Sequence, residues 1–456
     1  MALGILSLGM GMRSAQRSNQ SYRISAQLIP LFYGSWGWIL GHISFTATTG
    51  IYTLIFCLIA IGVSRRQASF RGMTFLGIAG LSWGAYELLI YQLLQAIGGQ
   101  MADAWLMFAA LAMVIACSEY ALAPRLSRLV RLSVRELQMI AHLHWSAASG
   151  LALLALVTGL SPGGEPLWIG VTSALASYAF IQGRRREDWI YAGILEAIAA
   201  LGYGLYLTAP TPLLLHWGGA IACLLGAGFY QLPWSTWGWS RRPWRQTAWV
   251  LPLAATLATA NAILIPTLLI AGAYYAGLAM QEQRPRFSYI SILLADWAIW
   301  RLLGFYQLQG QFAIACLFGG SLLYLAQLDP VLKSDTARNQ RHLLRTLATG
   351  LICLSALTES DAQLLWGFAA AGFFLLLIVA GLILRVRAFA YMGSLFFVLK
   401  VVRQLWLFVA DQSFLLWAIG IVVGLLFIWV AATFEARRSQ MTALLNYWVD
   451  ELSSWA

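Results

Sequence analysis

Six ionisable side chains fall inside apolar stretches of the chain: Glu87, Glu196, Asp296, Arg301, Lys400 and Arg403. A charged group in hydrocarbon costs about 2.5–3.5 kcal/mol on insertion scales, so each is a candidate for ligand binding. Arg301 and Arg403 are equivalent, each standing ten residues after a small residue, Ser291 or Gly393. The same offset in two other copies of that pattern gives Ser82 and Tyr203, so four stretches are polar at one level. Lys400 and Arg403 are three residues apart and share a helix face. Arg301 stands 13 residues past Ser288, roughly 20 Å into a core of about 30 Å, from where it can snorkel outwards. Two arrangements would satisfy these bases. They form a cationic patch facing an outward cavity that takes an anionic group, or they pair with Asp296, Glu359, Asp361 or Asp411 and only fix helix packing. Glu119, near the end of its stretch, says less.

Catalytic patterns are missing. The only two lysines, Lys333 and Lys400, follow leucine rather than glycine, so there is no Walker A sequence. One G-x-S-x-G occurs at Gly80–Gly84, but inside an apolar stretch, where a nucleophile elbow has no strand-to-helix turn. Close helix packing explains those glycines better. His42, His142, His144, His216 and His342 are scattered. His142 and His144 point about 200° apart on a helix and cannot clamp one metal or haem. The five cysteines form no C-x-x-C pair. No catalytic residue, metal or cofactor is therefore assigned. The short loops opposite the basic ones argue against an intramembrane transferase, a distant third reading.

The elements that carry these residues follow from composition. Of 456 residues, 60% are hydrophobic and 10% charged, against about 25% charged in a soluble domain. That excludes a soluble enzyme, a disordered chain and a disulfide-stapled secreted module. A transmembrane helix needs about 20 mainly apolar residues. Such stretches lie at 26–43, 45–64, 72–96, 102–123, 139–160, 166–183, 189–208, 212–231, 247–260, 263–281, 288–307, 311–327, 343–358, 362–384, 389–409 and 413–434. The expected fold is an all-α polytopic membrane protein of 16 spans. The stretch 26–43 is rich in Gly and Trp, 247–260 is short, and Pro252 and Pro266 are expected to kink their spans. Gly37-x-x-x-Gly41 and Gly420-x-x-x-Gly424 permit close helix contact.

Charge supports this count. Of the 29 Lys and Arg, all but Arg301, Lys400 and Arg403 fall at the N-terminal side or in every second loop. The opposite loops carry only acids, among them Asp103, Glu165, Glu359, Asp361 and Asp411. The positive-inside rule then puts both termini and every basic loop in the cytoplasm of a cell inner membrane. The net charge of +11 faces anionic headgroups, so the expected partners are membrane lipids and not nucleic acid. Ala2–Met12 has neither a basic start nor a cleavage site for a signal peptide.

A pattern recurs along the chain. Basic clusters are followed by an aromatic and a small residue at Phe70-Arg71-Gly72, Tyr191-Ala192-Gly193, Tyr289-Ile290-Ser291 and Tyr391-Met392-Gly393. Each opens a hairpin with a short outer turn, whose second helix carries Ile115-Ala116-Cys117, Ile221-Ala222-Cys223, Ile314-Ala315-Cys316 or the weaker Ile419-Gly420-Ile421. The expected organisation is an N-terminal cytoplasmic or interfacial segment (1–25) and one membrane domain (26–435) of four tandem four-helix repeats. Those repeats cover about 26–124, 125–232, 233–329 and 330–435, and a cytoplasmic amphipathic helix follows at 436–456. Leu3–Ser18 is similar to the end of the last span at Ala436–Gln440, as if the chain were the C-terminal part of a longer repeat protein. These hairpin starts and the closing Glu435-Ala436-Arg437-Arg438 resemble the large, repeat-built predicted membrane proteins of bacteria grouped as domains of unknown function. The resemblance covers most of the chain. It implies a bacterial source, with a thylakoid membrane as the setting if that source is cyanobacterial, and no assigned activity.

Three segments suit a membrane surface. Met441, Leu444, Leu445, Trp448, Leu452 and Trp455 make an apolar stripe at helical spacing, with Trp448 and Trp455 as interfacial anchors. A membrane-protein partner could dock on the same helix. Arg125–Leu137 interleaves four Arg with apolar residues and reads as a basic interfacial helix or linker. The loop 234–244 holds four Trp, of which Trp234 and Trp244 are read as anchors, with a sugar or headgroup platform as the sharper alternative. The expected function is transport or handling of an anionic or amphipathic small molecule. The alternative is a scaffold or assembly factor for other membrane proteins.

Overall fold

The structure is a computed structural model that describes residues 1–14, 20–65, 71–130, 132–360 and 364–409, with 421–422, 424–425 and 428–429. Among the described residues there are sixteen α-helices and no strand. They are α1 (Ala2–Ser14), α2 (Gln20–His42), α3 (Thr49–Ser64), α4 (Arg71–Gln95), α5 (Met101–Val130), α6 (Val134–Thr158), α7 (Gly164–Gly183) and α8 (Asp188–Thr208). Then come α9 (Thr211–Gln231), α10 (Arg241–Ala258), α11 (Ile265–Gln281), α12 (Phe287–Phe305), α13 (Gln311–Leu328), α14 (Arg338–Glu359), α15 (Leu364–Leu384) and α16 (Arg387–Val409). Nine of the described helices are long and apolar enough to cross a membrane: α4, α5, α6, α8, α9, α12, α13, α15 and α16. Their outward faces stay apolar, as Leu365, Trp366, Phe368, Leu375 and Leu376 of α15 show. Such a surface suits lipid and not water. The stretch 413–434, apart from those six positions, and the segment 436–456 with Trp448 and Trp455 lie outside the described residues.

The helices form two compact units, Met1–Leu214 with Gln231–Gln246, and Leu215–Tyr230 with Thr247–Ala456. In the first unit α3 packs along α4, α5 along α6 and α7 along α8. In the second, α11 pairs with α12, α13 with α14 and α15 with α16. Each of these pairs is joined through a basic loop. The sequence pattern implied hairpins closed at the opposite, short turns, and the packing corrects that. In three of the four copies the small residue after the basic cluster supplies the reason, whereas Gly72 has open space around it. A β-carbon at Gly193 would lie 2.8 Å from the Phe180 ring of α7, and one at Gly393 would lie 3.0 Å from the Phe374 carbonyl of α15. The Ser291 hydroxyl donates to the Gly272 carbonyl of α11 at 2.6 Å. A small residue here lets the helix close on its predecessor across the basic turn.

The glycines of the G-x-S-x-G match pack in the same manner. Gly80 lies against Cys57, and Gly84 and Gly50 would clash through each other's carbonyls if either carried a β-carbon. Gly37 faces Met1, whereas Gly41 faces Tyr52. Helix α1 thus lies along α2 and α3, with Leu8 against Gly62. Glycines on α2 and α3 open a groove for it.

Two other expectations change. Arg125–Leu137 is no separate interfacial helix: α5 runs to Val130 and α6 starts at once from a Ser133–Glu136 capping box. Val130, Leu132 and Leu137 are buried with Ile61, Ile78 and Ala123, so those apolar residues are core. Pro266 stands in the first turn of α11, where no amide donor is required, and kinks nothing. Pro252, by contrast, is inside α10.

Candidate functional site

Helix α4 carries Tyr86 and Glu87 side by side, so their side chains leave in different directions. Glu87 is buried. One carboxylate oxygen accepts from the Thr53 hydroxyl of α3 at 2.5 Å, and the other meets His42 Nε2 at 3.1 Å. His42 closes α2, and its Nδ1 bonds the Trp38 carbonyl at 2.7 Å. Tyr86 turns instead towards α6, where its hydroxyl bonds His144 Nδ1 at 3.1 Å.

The second His of α6 looks the other way, as its spacing requires. His142 Nδ1 bonds the Tyr178 hydroxyl of α7 at 2.9 Å, with its ring 4.7 Å from that of Trp189 at the start of α8. Tyr120 stands 5.5 Å from the Tyr178 ring and Trp145 stands 4.8 Å from the Trp189 ring, so the imidazole sits in an aromatic box. Between the two Tyr–His pairs comes Glu119 of α5. It is 9% exposed, its Oε2 has no hydrogen-bond partner among the described residues, and it is near enough to act electrostatically on both Tyr86 and Tyr178. A buried carboxyl oxygen without a donor is costly and asks for an explanation.

These groups descend through the first unit. Counted along their own helices from the basic end, Glu87 is ~24 Å up, Glu119 ~17 Å, His144 ~15 Å, His142 ~12 Å and Tyr178 ~8 Å. Carboxyls, imidazoles and phenols stand at successive levels, each able to give and take a proton. Glu196 of α8 is on the same unit and accepts from the Ser149 hydroxyl of α6.

The candidate residues of the second unit are held differently. Arg301 donates through both terminal nitrogens to the carbonyls of Ile263 and Asn261, closing the turn between α10 and α11. Asp296 accepts from Ser321 of α13, and Glu359 accepts the Phe312 amide at 2.6 Å, capping α13. Both acids are thus engaged elsewhere, and the Arg301 guanidinium is spent on backbone carbonyls. Lys400 is 1% exposed and donates to the Ser360 hydroxyl at 2.8 Å. Arg403 is exposed on α16, and Asp361 and Asp411 lie outside the described residues. Tyr203 reaches Glu165 at 3.4 Å within the first unit, as Arg301 reaches its turn within the second.

Sequence reasoning passed over Glu119, His42, His142 and His144. A Glu within an apolar helix, with Tyr beside it and His on the next helix, was the available signal. Trp234 and Trp244 also differ from expectation. They are buried and stacked on each other at 3.6 Å, so their faces meet protein and not lipid. Among the described residues no group of three His, Cys, Asp or Glu could hold a metal ion. No protein-family model, no curated protein and no solved structure matches the chain.

Proposed function

We propose that this chain is a membrane transporter whose working groups are the protonatable side chains of its first unit. The observation that supports this is the buried carboxyl oxygen of Glu119, unpartnered among the described residues, between the Tyr86–His144 and Tyr178–His142 pairs. Ionisable residues inside membrane helices mark proton relays and substrate paths. The array has such residues at several levels of the first unit. Glu87, with His42 and Thr53, is its outward end.

The solute in this proposal is an anionic or amphipathic small molecule. An anion that crosses with a proton carries no net charge through the hydrocarbon. Sixteen spans then make four tandem units, and the termini and basic loops lie in the cytoplasm of a bacterial inner membrane. The scaffold reading draws on 436–456, outside the described residues, and no described feature favours it over transport.

The test is proton movement in liposomes. Purified protein is reconstituted with an internal pH dye, potassium and valinomycin hold the membrane potential at zero, and inward gradients of a monocarboxylate, a dicarboxylate and a phosphomonoester are imposed in turn. Folded wild-type protein should acidify the lumen, and Glu119→Gln should slow this by about tenfold or more. Asp188→Asn, at an exposed pair with Arg186, should not. Equal rates for wild type and Glu119→Gln would end the proposal, as would no proton movement by folded protein.

A further inference from the structure

Glycine 238, with φ of +87°, lets the chain between α9 and α10 fold back on itself. The Trp239 amide returns to the Trp234 carbonyl at 3.0 Å and the Trp237 amide to the same carbonyl at 3.1 Å. This brings four indoles together. Trp234 and Trp244 stack in parallel, Phe180 of α7 extends the stack at 5.4 Å, and Trp237 and Trp239 stand edge-on to it. The fold-back is tied to the α7–α8 turn by Trp239 Nε1 to the Phe180 carbonyl at 2.8 Å and Ser240 to Glu187 at 3.1 Å. Arg242 pairs with the same Glu187 at 3.7 Å.

Between these parts lies an open pocket of about 800 Å³, lined by Arg184, Trp234, Thr236, Trp237, Gly238 and Trp239. Arg184 stands 5.3 Å over the Trp239 ring. Arg185, Arg186, Arg241 and Arg242 flank it, and the acids beside them are Glu187 and Asp188. Trp237 is 45% exposed. The pocket lies between the start of α8 and the end of α9, two helices long and apolar enough to cross a membrane, and a bilayer crossed by them has its headgroups at this level. A cationic rim, an indole floor and that depth match one occupant.

We propose that this pocket is a binding site for a single anionic phospholipid, with the phosphate at Arg184 and the glycerol and upper acyl carbons against Trp237 and Trp239. Charge complementarity selects the anionic headgroup, and the exposed indole distinguishes the site from a diffuse basic surface. Lipid binding here is independent of proton movement through Glu119.

The experiment is native mass spectrometry of the full chain, released from detergent with added phosphatidylglycerol, phosphatidylcholine or inorganic phosphate. One phosphatidylglycerol per chain should be retained over phosphatidylcholine. Arg184→Gln and Trp237→Ala should each lower its retention by about tenfold. Arg128→Gln, in another basic cluster, should leave it unchanged. Equal retention of phosphatidylcholine would overturn the proposal. So would equal loss in the Arg128 and Arg184 variants, or displacement of the lipid by phosphate. If Arg184→Gln does not fold, Trp237→Leu, which keeps an exposed side chain apolar, decides the matter: lowered retention supports the site and unchanged retention overturns it.

Discussion

Replacing Tyr275 by Phe should destabilise the second unit by an amount that depends on Pro252. Proline has no amide hydrogen, so within α10 the carbonyl four residues earlier, that of Ala248, loses its helical donor. The Tyr274 hydroxyl of α11 donates to that carbonyl at 2.8 Å. On the next rung, the Tyr275 hydroxyl donates to the Trp249 carbonyl at 2.6 Å and accepts from the Leu253 amide at 3.0 Å. Two adjacent phenols thus serve the rungs that the proline disturbs. Gly226 of α9 makes room, since a β-carbon there would lie 2.7 Å from the Tyr274 hydroxyl and 3.1 Å from Pro252. Tyr275 is fully buried, so Phe leaves two backbone groups without their phenol. At about 1–3 kcal/mol for each buried group, reduced because the rung can partly reclose, the expected loss is about 2 kcal/mol. Pro252→Ala restores the missing amide and lets the rungs close, so in that background Tyr275→Phe should cost under about 0.5 kcal/mol. The assay is equilibrium unfolding in mixed detergent micelles, run as a double-mutant cycle on Tyr275 and Pro252. Equal costs in both backgrounds would refute the reasoning, because the phenol would then not be serving the proline's rungs.

Two further predictions concern charges at opposite ends of the second unit. The Asp329 carboxyl is held below its ordinary value, first by the Tyr289 hydroxyl, then by the Val331 amide, with Arg286 contributing. Its contribution to stability is therefore complete above the unfolded value of about 3.9 and is lost as pH falls through the lower folded value. Acid unfolding profiles should show Asp329→Asn with a weaker pH dependence below about pH 4 than wild type. At Lys400, Met should lower the unfolding midpoint, because it leaves the Ser360 hydroxyl and a further contact of this buried ammonium without their partner. Ser360→Ala should be the milder change, since the ammonium keeps its further contact; the reverse order of midpoints would count against this.

The helices were legible because hydrocarbon imposes length and apolarity on every span, and fifteen of the sixteen expected stretches coincide with described helices. Pairing was harder to read. The Gly193, Ser291 and Gly393 pattern was visible, but a small residue announces a close approach without naming the neighbour, and loop length favoured the wrong one. The surroundings of the candidate residues were hidden for a related reason. Arg301 and Arg403 stand out because cations are rare in spans, whereas a guanidinium that reaches two carbonyls, as that of Arg301 does, is already satisfied by the backbone. Glu119 drew less attention near the end of its stretch, yet α5 continues to Val130 and leaves it well inside the helix. Charge type and position along one helix cannot show whether a partner waits on the next. What decides between a structural ion and a working one is the set of donors around it, and that set exists only once Tyr86, His144, Tyr178 and His142 have been brought to Glu119 from other helices of the fold.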